Sequence, residues 1–387
     1  MPPRSVSLIV VATATASALV AVPVPPGALG APEPPRQVHA GPDPAAALAD
    51  WPRPVLRPGL SEPQIAAAIA DHAKLLSDTG RFSGVVLAAH GDRIAVSRAY
   101  GLADVASRAP NTIDTRFNVG SIGKLFTIVA IAQLAEAGRL ALDDTVRRHL
   151  PDLALPGADR ITIQQLIDHA SGLGDIFGPR FTAAPPARLR ELSDFVPLFV
   201  DQPLAFEPGS QTRYSNAGYV VLGLIIERIT GEKYRDHVAR HVFARAGMTS
   251  TGLWAIDERV AARATGYRSV EGAAGRVPNT DTLSGRPSSA GGALSTAGDL
   301  LRFWTALSGG KLLSPRWTAW VLHGPPDGAS RGWGFGGGAP GLNASLEVGQ
   351  GWILIALANF DPPAALAVTR AAMDIVRGHP SDRAAAR

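Results

Sequence analysis

The sequence of 387 residues contains no cysteine, which excludes disulfide bonds and any lipid anchor attached to a cysteine. Charge is also sparse, because Asp, Glu, Lys and Arg make up 18% of the chain and leave a formal surplus of four positive charges. The arginines are scattered, without a basic run or a basic patch interleaved with aromatic residues, so we expect no nucleic acid binding. The hydrophobic content of 46% is typical of a globular protein with a large core.

Long apolar runs are missing except near the N-terminus, so no later segment is expected to span a bilayer. Residues 1–30 predict a signal peptide: Arg4 is the single early charge, residues 6–24 are an apolar run, and small residues precede a cleavage site before Ala31. An uncleaved membrane anchor is the alternative. The prolines that interrupt the apolar run favour cleavage of the signal peptide. After cleavage we expect no stable insertion of the protein into a membrane. An exported chain without disulfides indicates a periplasmic or secreted bacterial protein.

The main domain is expected over residues 61–378. Before it, residues 31–60 hold eight prolines and predict an extended linker. After it, residues 379–387 predict a flexible tail.

Strand signals lie at both ends of this domain, and helix signals lie between them. Residues 82–89 and 93–100 flank a His-Gly-Asp turn and predict a β-hairpin, while residues 344–348 are expected to pair with 352–358. The segment of about 118–284 predicts helices and loops. We therefore predict an α+β fold, with an antiparallel sheet built from N- and C-terminal segments, flanking helices and an inserted, mostly helical subdomain.

The most informative stretch is Phe-Asn-Val-Gly-Ser121-Ile-Gly-Lys124 and the apolar run that follows it. The run is apolar around most of its circumference and predicts a helix buried on nearly every side. Because positions i and i+3 are neighbours on a helix, Ser121 and Lys124 project from the same face. A serine needs an adjacent base to act as a nucleophile. Burial lowers the pKa of a lysine toward the range in which it accepts protons.

The same residues also allow two alternative roles. Ser121 can be an ordinary helix N-cap, since Ser-x-x-Lys is short and common by chance. A phosphate-binding loop fits poorly, because Asn118 stands where that motif needs its first glycine and Leu125 stands where it needs Ser or Thr.

A second polar segment follows about ninety residues later, as Phe-Glu-Pro-Gly-Ser-Gln-Thr-Arg-Tyr214-Ser-Asn216. Tyr214 and Asn216 are two residues apart on a predicted loop, so both side chains can face one side. A tyrosine beside an ammonium group loses its proton more easily and can serve as a base. Asparagine offers a donor and an acceptor to a substrate amide. A capped turn with Tyr214 packed inside is the alternative.

Together the two segments resemble the penicillin-recognising serine hydrolases, in the branch of class C β-lactamases, D-alanyl-D-alanine carboxypeptidases and related esterases. The resemblance covers most of residues 80–375 and implies the β-lactamase/transpeptidase-like fold, without a metal or organic cofactor. It further implies that Ser121 is acylated, that Lys124 and Tyr214 transfer protons, and that Asn216 holds the acylamino group of the substrate. The Ser121 N–H would supply half of the oxyanion hole.

The third motif of this family is altered here. The family carries Lys-x-Gly or His-x-Gly on a sheet-edge strand beside the serine, whereas Phe335 replaces the histidine in Gly-Trp-Gly-Phe-Gly-Gly-Gly-Ala-Pro-Gly. The hairpin that usually precedes the glycine run is missing, as if two strands were fused. The backbone N–H of Gly337 or Gly338 can still supply the second oxyanion donor. The side chain that would steer a substrate carboxylate is absent unless Arg331 or Arg286 replaces it.

Three histidines are further candidates. His237 and His241 lie four apart on a predicted helix, but the segment lacks the glutamate of His-Glu-x-x-His and no third ligand is evident, so we expect a solvated helix face and no metal. His169 precedes a Ser-Gly turn and could pass for a triad base. The family uses this segment mainly as a structural loop, so His169 is left out of the chemistry. The absence of Gly-x-Ser-x-Gly argues against an α/β-hydrolase.

These observations predict an exported serine hydrolase that acts through an acyl-enzyme on an amide or ester, such as a β-lactam, a D-Ala-D-Ala peptide or a small ester. The expected partner is a small-molecule or peptide substrate. A catalytically weak or inactive relative, which binds cell-wall peptide or a protein through the same cleft, is the alternative. The catalytic prediction requires Ser121, Lys124 and Tyr214 to meet in one pocket.

Overall fold

The computed structural model describes residues 47–324 and 334–378. The predicted signal peptide, residues 31–46 of the predicted linker, Arg331 and the predicted tail lie outside these ranges. The rest of the predicted linker lies against the folded chain, where four apolar side chains are partly buried: Leu48, Trp51, Leu56 and Leu60.

A five-stranded antiparallel sheet lies at the centre of the fold. Its strands are β1 (Gly84–His90), β2 (Arg93–Tyr100), β3 (Gly334–Ala339), β4 (Leu342–Gly349) and β5 (Trp352–Ala358). They are arranged in the order β2-β1-β5-β4-β3. The pairing of β1 with β5, in which Val86 lies opposite Ala356, joins the early and late segments of the chain. This confirms the sheet that was predicted from both ends of the chain.

Six longer helices surround the sheet or lie in the segment between β2 and β3. They are α1 (Glu62–Asp78), α2 (Gly123–Glu136), α3 (Asn216–Thr230), α4 (Ala297–Ser308), α5 (Pro315–His323) and α6 (Ala364–Arg377). Shorter helices are Val146–His149, Ile163–Ile167, Pro179–Ala183, Leu192–Phe195, Tyr234–Val238 and Ala244–Ala246. Short strand pairs are Leu102–Asp104 with Ala109–Pro110, Phe117–Asn118 with Leu294–Ser295, and Tyr267–Arg268 with Val277–Pro278.

Both faces of the sheet are covered by apolar packing. In β1, Val85 and Leu87 contribute to one core, whereas Val86 and Ala88 contribute to the other. This alternation follows from the two-residue period of a strand. Helices α1 and α6 pack on the second face, and the larger core on the first face includes α2 and α3. The antiparallel sheet therefore lies between two helical layers, as the α+β prediction required.

Helix α2 is buried around nearly its whole circumference, as predicted. Its Phe126 ring meets Phe243 and Phe303 edge-on, with ring centroids 4.9 and 5.0 Å apart. A short 3₁₀ turn over Gly120–Ile122 precedes α2, so Ser121 lies in this turn and is not the N-cap of the helix. The turn presents Ser121 at the start of a rigid, fully packed element.

One of the longer helices, α5, was not predicted from the sequence. The start of α5 does carry a signal, because Ser314 is followed by proline at the first helical position. Among the described residues, none of the helices combines the length and the apolar character needed to cross a bilayer.

Candidate active site

The structure brings the three predicted catalytic side chains together. Ser121 Oγ lies 2.6 Å from the Tyr214 hydroxyl, and Lys124 Nζ donates a hydrogen bond to Ser121 Oγ over 3.1 Å. Both distances are within hydrogen-bond range, so a proton can pass directly between neighbouring groups. The spatial condition on which the catalytic prediction rests is therefore met.

The loop before α3 positions Tyr214. Ser215 is the N-cap of α3, where its hydroxyl accepts from Gly218 N over 3.0 Å. The Ser215 N–H donates to His169 Nδ1 over 3.1 Å, and the His169 ring lies against the Tyr214 ring with centroids 4.5 Å apart. His169 thus packs against Tyr214 and helps to position it, in keeping with the structural role expected for its segment.

Burial sets the protonation of Lys124. The side chain is 5% exposed, and this desolvation lowers the pKa of Lys124 to about 7, while the negative charge of Asp175 opposes the shift. The predicted direction of the pKa shift is confirmed. At neutral pH a large fraction of the amine is uncharged and can accept a proton.

The hydrogen bonds of Lys124 suit the neutral amine. Besides Ser121 Oγ, Nζ contacts Asn216 Oδ1 at 2.7 Å and the carbonyl oxygen of Ala290 at 2.5 Å. A neutral amine has two N–H groups and one lone pair. When the two N–H groups of the neutral amine point to Asn216 and Ala290, the bond to Ser121 changes direction and the lone pair of Nζ accepts from the Ser121 hydroxyl. This is the arrangement that a general base requires.

Tyr214 behaves differently from the sequence-based expectation. Burial raises the pKa of Tyr214, the hydrogen bond with Ser121 offsets part of the increase, and the charge of Asp175 adds to it. The argument from the nearby lysine was wrong because it left out desolvation, which penalises the phenolate. Tyr214 therefore stays protonated and suits the role of a hydrogen-bond donor better than that of a base.

Asp175 is a residue of this site that the sequence analysis missed. Its two carboxylate oxygens accept from Asn216 Nδ2 at 3.0 and 2.9 Å. Both ends of the Asn216 amide are thus engaged, with Asp175 on one side and Lys124 on the other. Asn216 is oriented toward the lysine, so a substrate amide would have to displace Asp175 to reach Nδ2. The one sequence signal for Asp175 was its place directly after the Ser-Gly-Leu-Gly turn.

The middle of β3 passes unusually close to the serine. A Cβ atom at Gly337 would lie 2.1 Å from the Val119 carbonyl oxygen and 2.9 Å from Ser121 N, so a side chain at this position is excluded. The Gly337 carbonyl accepts from Asn343 Nδ2 over 2.9 Å. The Asn343 Oδ1 in turn accepts from Ala365 N and Leu366 N at the start of α6. These hydrogen bonds of Asn343 therefore hold β3, the glycine strand, in place beside Ser121.

Comparison with known proteins shows the family of this chain. The sequence matches the family described as Beta-lactamase over residues 65–354. The chain belongs to the beta-lactamase family. The α+β fold, with its antiparallel central sheet, is likewise the fold of the penicillin-binding proteins of known structure.

Several penicillin-binding proteins are similar to this member of the beta-lactamase family. Penicillin-binding protein 4* of Bacillus subtilis is 34% identical over 197 residues, which cover 50% of this chain and 43% of that protein. The putative penicillin-binding protein PbpX of Bacillus subtilis is 31% identical over 235 residues, covering 61% and 57% of the two chains. This chain thus spans about half the length of these relatives. A penicillin-binding protein from Bacillus halodurans has a solved structure that is 31% identical, with a TM-score of 0.72, and the match covers 79% of this chain and all of that one.

The chain departs from the beta-lactamase pattern at Phe335. The Phe335 side chain is half-buried and packs against the larger core, so the strand presents no imidazole or ammonium group at this position. Arg286 does not replace that cation, because it donates to the Leu253 carbonyl and forms an ion pair with Glu258 at 2.5 Å. The expected fusion of the two strands is confirmed, since Phe335 and Gly337 lie on one continuous strand paired with β4.

Proposed function

We propose that this chain is a serine hydrolase that cleaves an ester or amide through an acyl-enzyme on Ser121. One observation carries the proposal: Ser121 Oγ lies within hydrogen-bond distance of both the Tyr214 hydroxyl and the buried amine of Lys124. A nucleophile, a base with a pKa of about 7 and a protonated phenol in mutual contact are the components of acyl transfer.

In the proposed acylation, neutral Lys124 takes the proton of Ser121 while Oγ attacks the substrate carbonyl carbon. The tetrahedral intermediate then collapses, and the bond between that carbon and the leaving group breaks. Tyr214 gives its proton to the leaving oxygen or nitrogen and regains one from protonated Lys124. Water then attacks the acyl-enzyme by the same proton path in reverse, which releases the acid and restores Ser121.

The oxyanion of the intermediate needs two donors. We assign these roles to the N–H of Ser121 and to a backbone N–H of β3, at Gly337 or Gly338. The close approach of Gly337 to Ser121 N supports this assignment, because it puts the strand backbone beside the reacting serine. The role of Asn216 is then to hold the Lys124 amine in place.

The charges around the site favour substrates without a carboxylate next to the scissile bond. Phe335 offers no cation, Arg286 is paired with Glu258, and the Asp175 carboxylate is close to Lys124 and Asn216. Within the described part of the chain, a substrate carboxylate would meet a negative charge and no fixed positive partner. We therefore infer that neutral esters and amides are better substrates than penicillins or peptides ending in D-Ala-D-Ala.

The predicted signal peptide further leads us to propose that the enzyme acts outside the cytoplasm, in the periplasm or as a secreted protein. The absence of cysteine is compatible with either compartment.

The direct test is labelling with a fluorophosphonate probe together with hydrolysis of p-nitrophenyl esters, for wild type and Ser121→Ala. We expect wild type to be labelled and active, and Ser121→Ala to lose labelling and at least about 10³-fold in kcat/KM. If wild type is neither labelled nor active on any ester, the chain is instead a binding protein.

The substrate inference is tested by comparing p-nitrophenyl butyrate, nitrocefin and a D-Ala-D-Ala peptide. We expect the ester to have the highest kcat/KM. Phe335→His should raise the activity toward the two carboxylate-bearing substrates relative to the ester by about fivefold, because it restores a cation of moderate strength. A wild-type enzyme that prefers nitrocefin would contradict the inference while leaving the catalytic proposal intact.

A further inference from the structure

We propose that Glu232, His237 and His241 form a binding site for a divalent transition-metal ion, Zn²⁺ above all, in the helical region outside the serine site. From the sequence, a solvated helix face and no third ligand were expected for His237 and His241. The structure corrects both points, because His237 is buried and Glu232 lies against both histidines.

The ligand atoms of these three residues already lie close together. One carboxylate or imidazole atom from each lies within 4.8 Å of the others. His237 Nδ1 is 3.1 Å from Glu232 Oε2, and His241 Nε2 is 3.7 Å from the same oxygen. Around Zn²⁺, ligands at about 2.0–2.1 Å in a tetrahedron are separated by roughly 3.3 Å. A small rotation of the His241 side chain, which is 45% exposed, brings its Nε2 to this separation from Glu232 Oε2.

Hydrogen bonding alone does not account for this cluster. The 3.7 Å separation of His241 from Glu232 is too long for a hydrogen bond. The two imidazole rings nevertheless face each other with centroids 4.4 Å apart. Two imidazoles packed this closely repel when both are protonated, whereas a shared cation holds them together.

An arginine fixes the carboxylate of Glu232. Arg240 Nη1 contacts the other carboxylate oxygen of Glu232 at 2.9 Å, which orients the carboxylate and leaves Oε2 for the ion.

The ligand set selects the kind of metal. Two imidazole nitrogens and one carboxylate oxygen suit Zn²⁺, and also Co²⁺ or Ni²⁺, whereas Mg²⁺ and Ca²⁺ prefer sites made of oxygen alone. The exposed sides of His241 and Glu232 leave room for water to complete the coordination.

A bound ion would tie this segment to the serine helix. The Tyr234 hydroxyl lies 2.6 Å from Thr127 Oγ1 on α2, and Gln133 Nε2 on the same helix donates to the carbonyl of His241 over 3.0 Å. Cross-linking residues 232–241 therefore braces one side of α2. The expected consequence is stability of the fold, because none of the three ligands contacts Ser121, Lys124 or Tyr214.

The test uses the full chain without an affinity tag, stripped with chelator and titrated with ZnCl₂ by calorimetry. We expect one Zn²⁺ per chain and a rise in Tm of about 3 °C or more with excess zinc. Co²⁺ in place of Zn²⁺ should give the visible absorption of a four-coordinate site. His241→Ala, which changes an exposed side chain, should weaken zinc binding at least about a hundredfold.

His90→Ala is the matched control. His90 also pairs with a glutamate, Glu62 at 3.1 Å, and Arg93 contacts the other carboxylate oxygen, but no second histidine is part of that pair. Zinc binding should be unchanged in this variant. Equal zinc binding by His241→Ala and wild type, or no stoichiometric zinc binding by wild type, would overturn the proposal.

Discussion

The two sides of the serine cleft are built in different ways. On one side Lys124, Tyr214 and Asn216 present polar side chains that hydrogen-bond to one another or to Ser121. On the other side β3 presents backbone and the apolar Phe335. The groups suited to proton transfer are thus kept, whereas the described residues of β3 present no cation that would steer a substrate. The groups that carry out the reaction and the groups that would select the substrate lie on separate elements, so the substrate preference can change while the reaction is kept.

The largest expected effect is on the side-chain half of the cleft. Lys124→Met replaces the base by an apolar group of similar length and should lower ester kcat/KM by about 10³. In wild type the rate should rise with pH through about 7, because only the neutral amine accepts a proton. Stability should fall, because Asn216 Oδ1 and the Ala290 carbonyl lose the amine that donates to them.

Lys74→Met is the control for this variant, because Lys74 lies on the surface in an ion pair with Asp78. It should keep wild-type activity. If Lys124→Met retained more than a tenth of the wild-type rate, Lys124 would not be the base.

A smaller effect is expected from the backbone half of the cleft. Gly337→Ala places a methyl group against the Val119 carbonyl and pushes β3 away from Ser121. Loss of one oxyanion donor lowers the rate by about 10²–10³, and we expect a value near the lower end. Gly336→Ala is the matched control, since a Cβ there has its nearest neighbour at 4.0 Å. Equal activity of the two variants in a p-nitrophenyl ester assay would show that the strand supplies no donor.

The smallest effect is expected from Asp175→Asn. The substitution keeps an acceptor for Asn216 but removes the negative charge that raises the pKa of Lys124. The pKa of Lys124 should fall further, so the acidic limb of the kcat/KM profile should move to lower pH. The plateau should change by less than about tenfold. Asp257→Asn, which removes a surface partner of Arg190, should leave the profile unchanged. If the acidic limb did not move in Asp175→Asn, the charge of Asp175 would have no influence on the pKa of Lys124.

Local sequence patterns were enough to predict the central sheet, the serine helix and the placement of Lys124 beside Ser121. The apolar run after Ser121 predicted a helix buried on nearly every side, and the three-residue spacing predicted that Lys124 shares its face with the serine. The strands at both ends of the chain were predicted from their two-residue alternation and their turns. These features depend on neighbours within a few residues, so they are visible in the sequence.

Features that arise from long-range packing were not predictable in the same way. Asp175 meets Asn216 across 41 residues, and no local period marks that contact. The contact between Glu232 and His237 was also not predictable, although only five residues separate them. The turn between the two residues decides where the carboxylate points. The pKa of Tyr214 was mispredicted because the depth of its burial depends on the whole fold.

The link from Gly337 through Asn343 to the start of α6 has a consequence for biosynthesis. A ribosome makes the serine helix before it makes α6. Until α6 leaves the exit tunnel, Asn343 lacks the backbone N–H groups that fix its amide beside the Gly337 carbonyl. Nascent chains should therefore stay inactive until α6 has been made, and a truncation that removes α6 should reduce catalysis even though every reactive side chain is present.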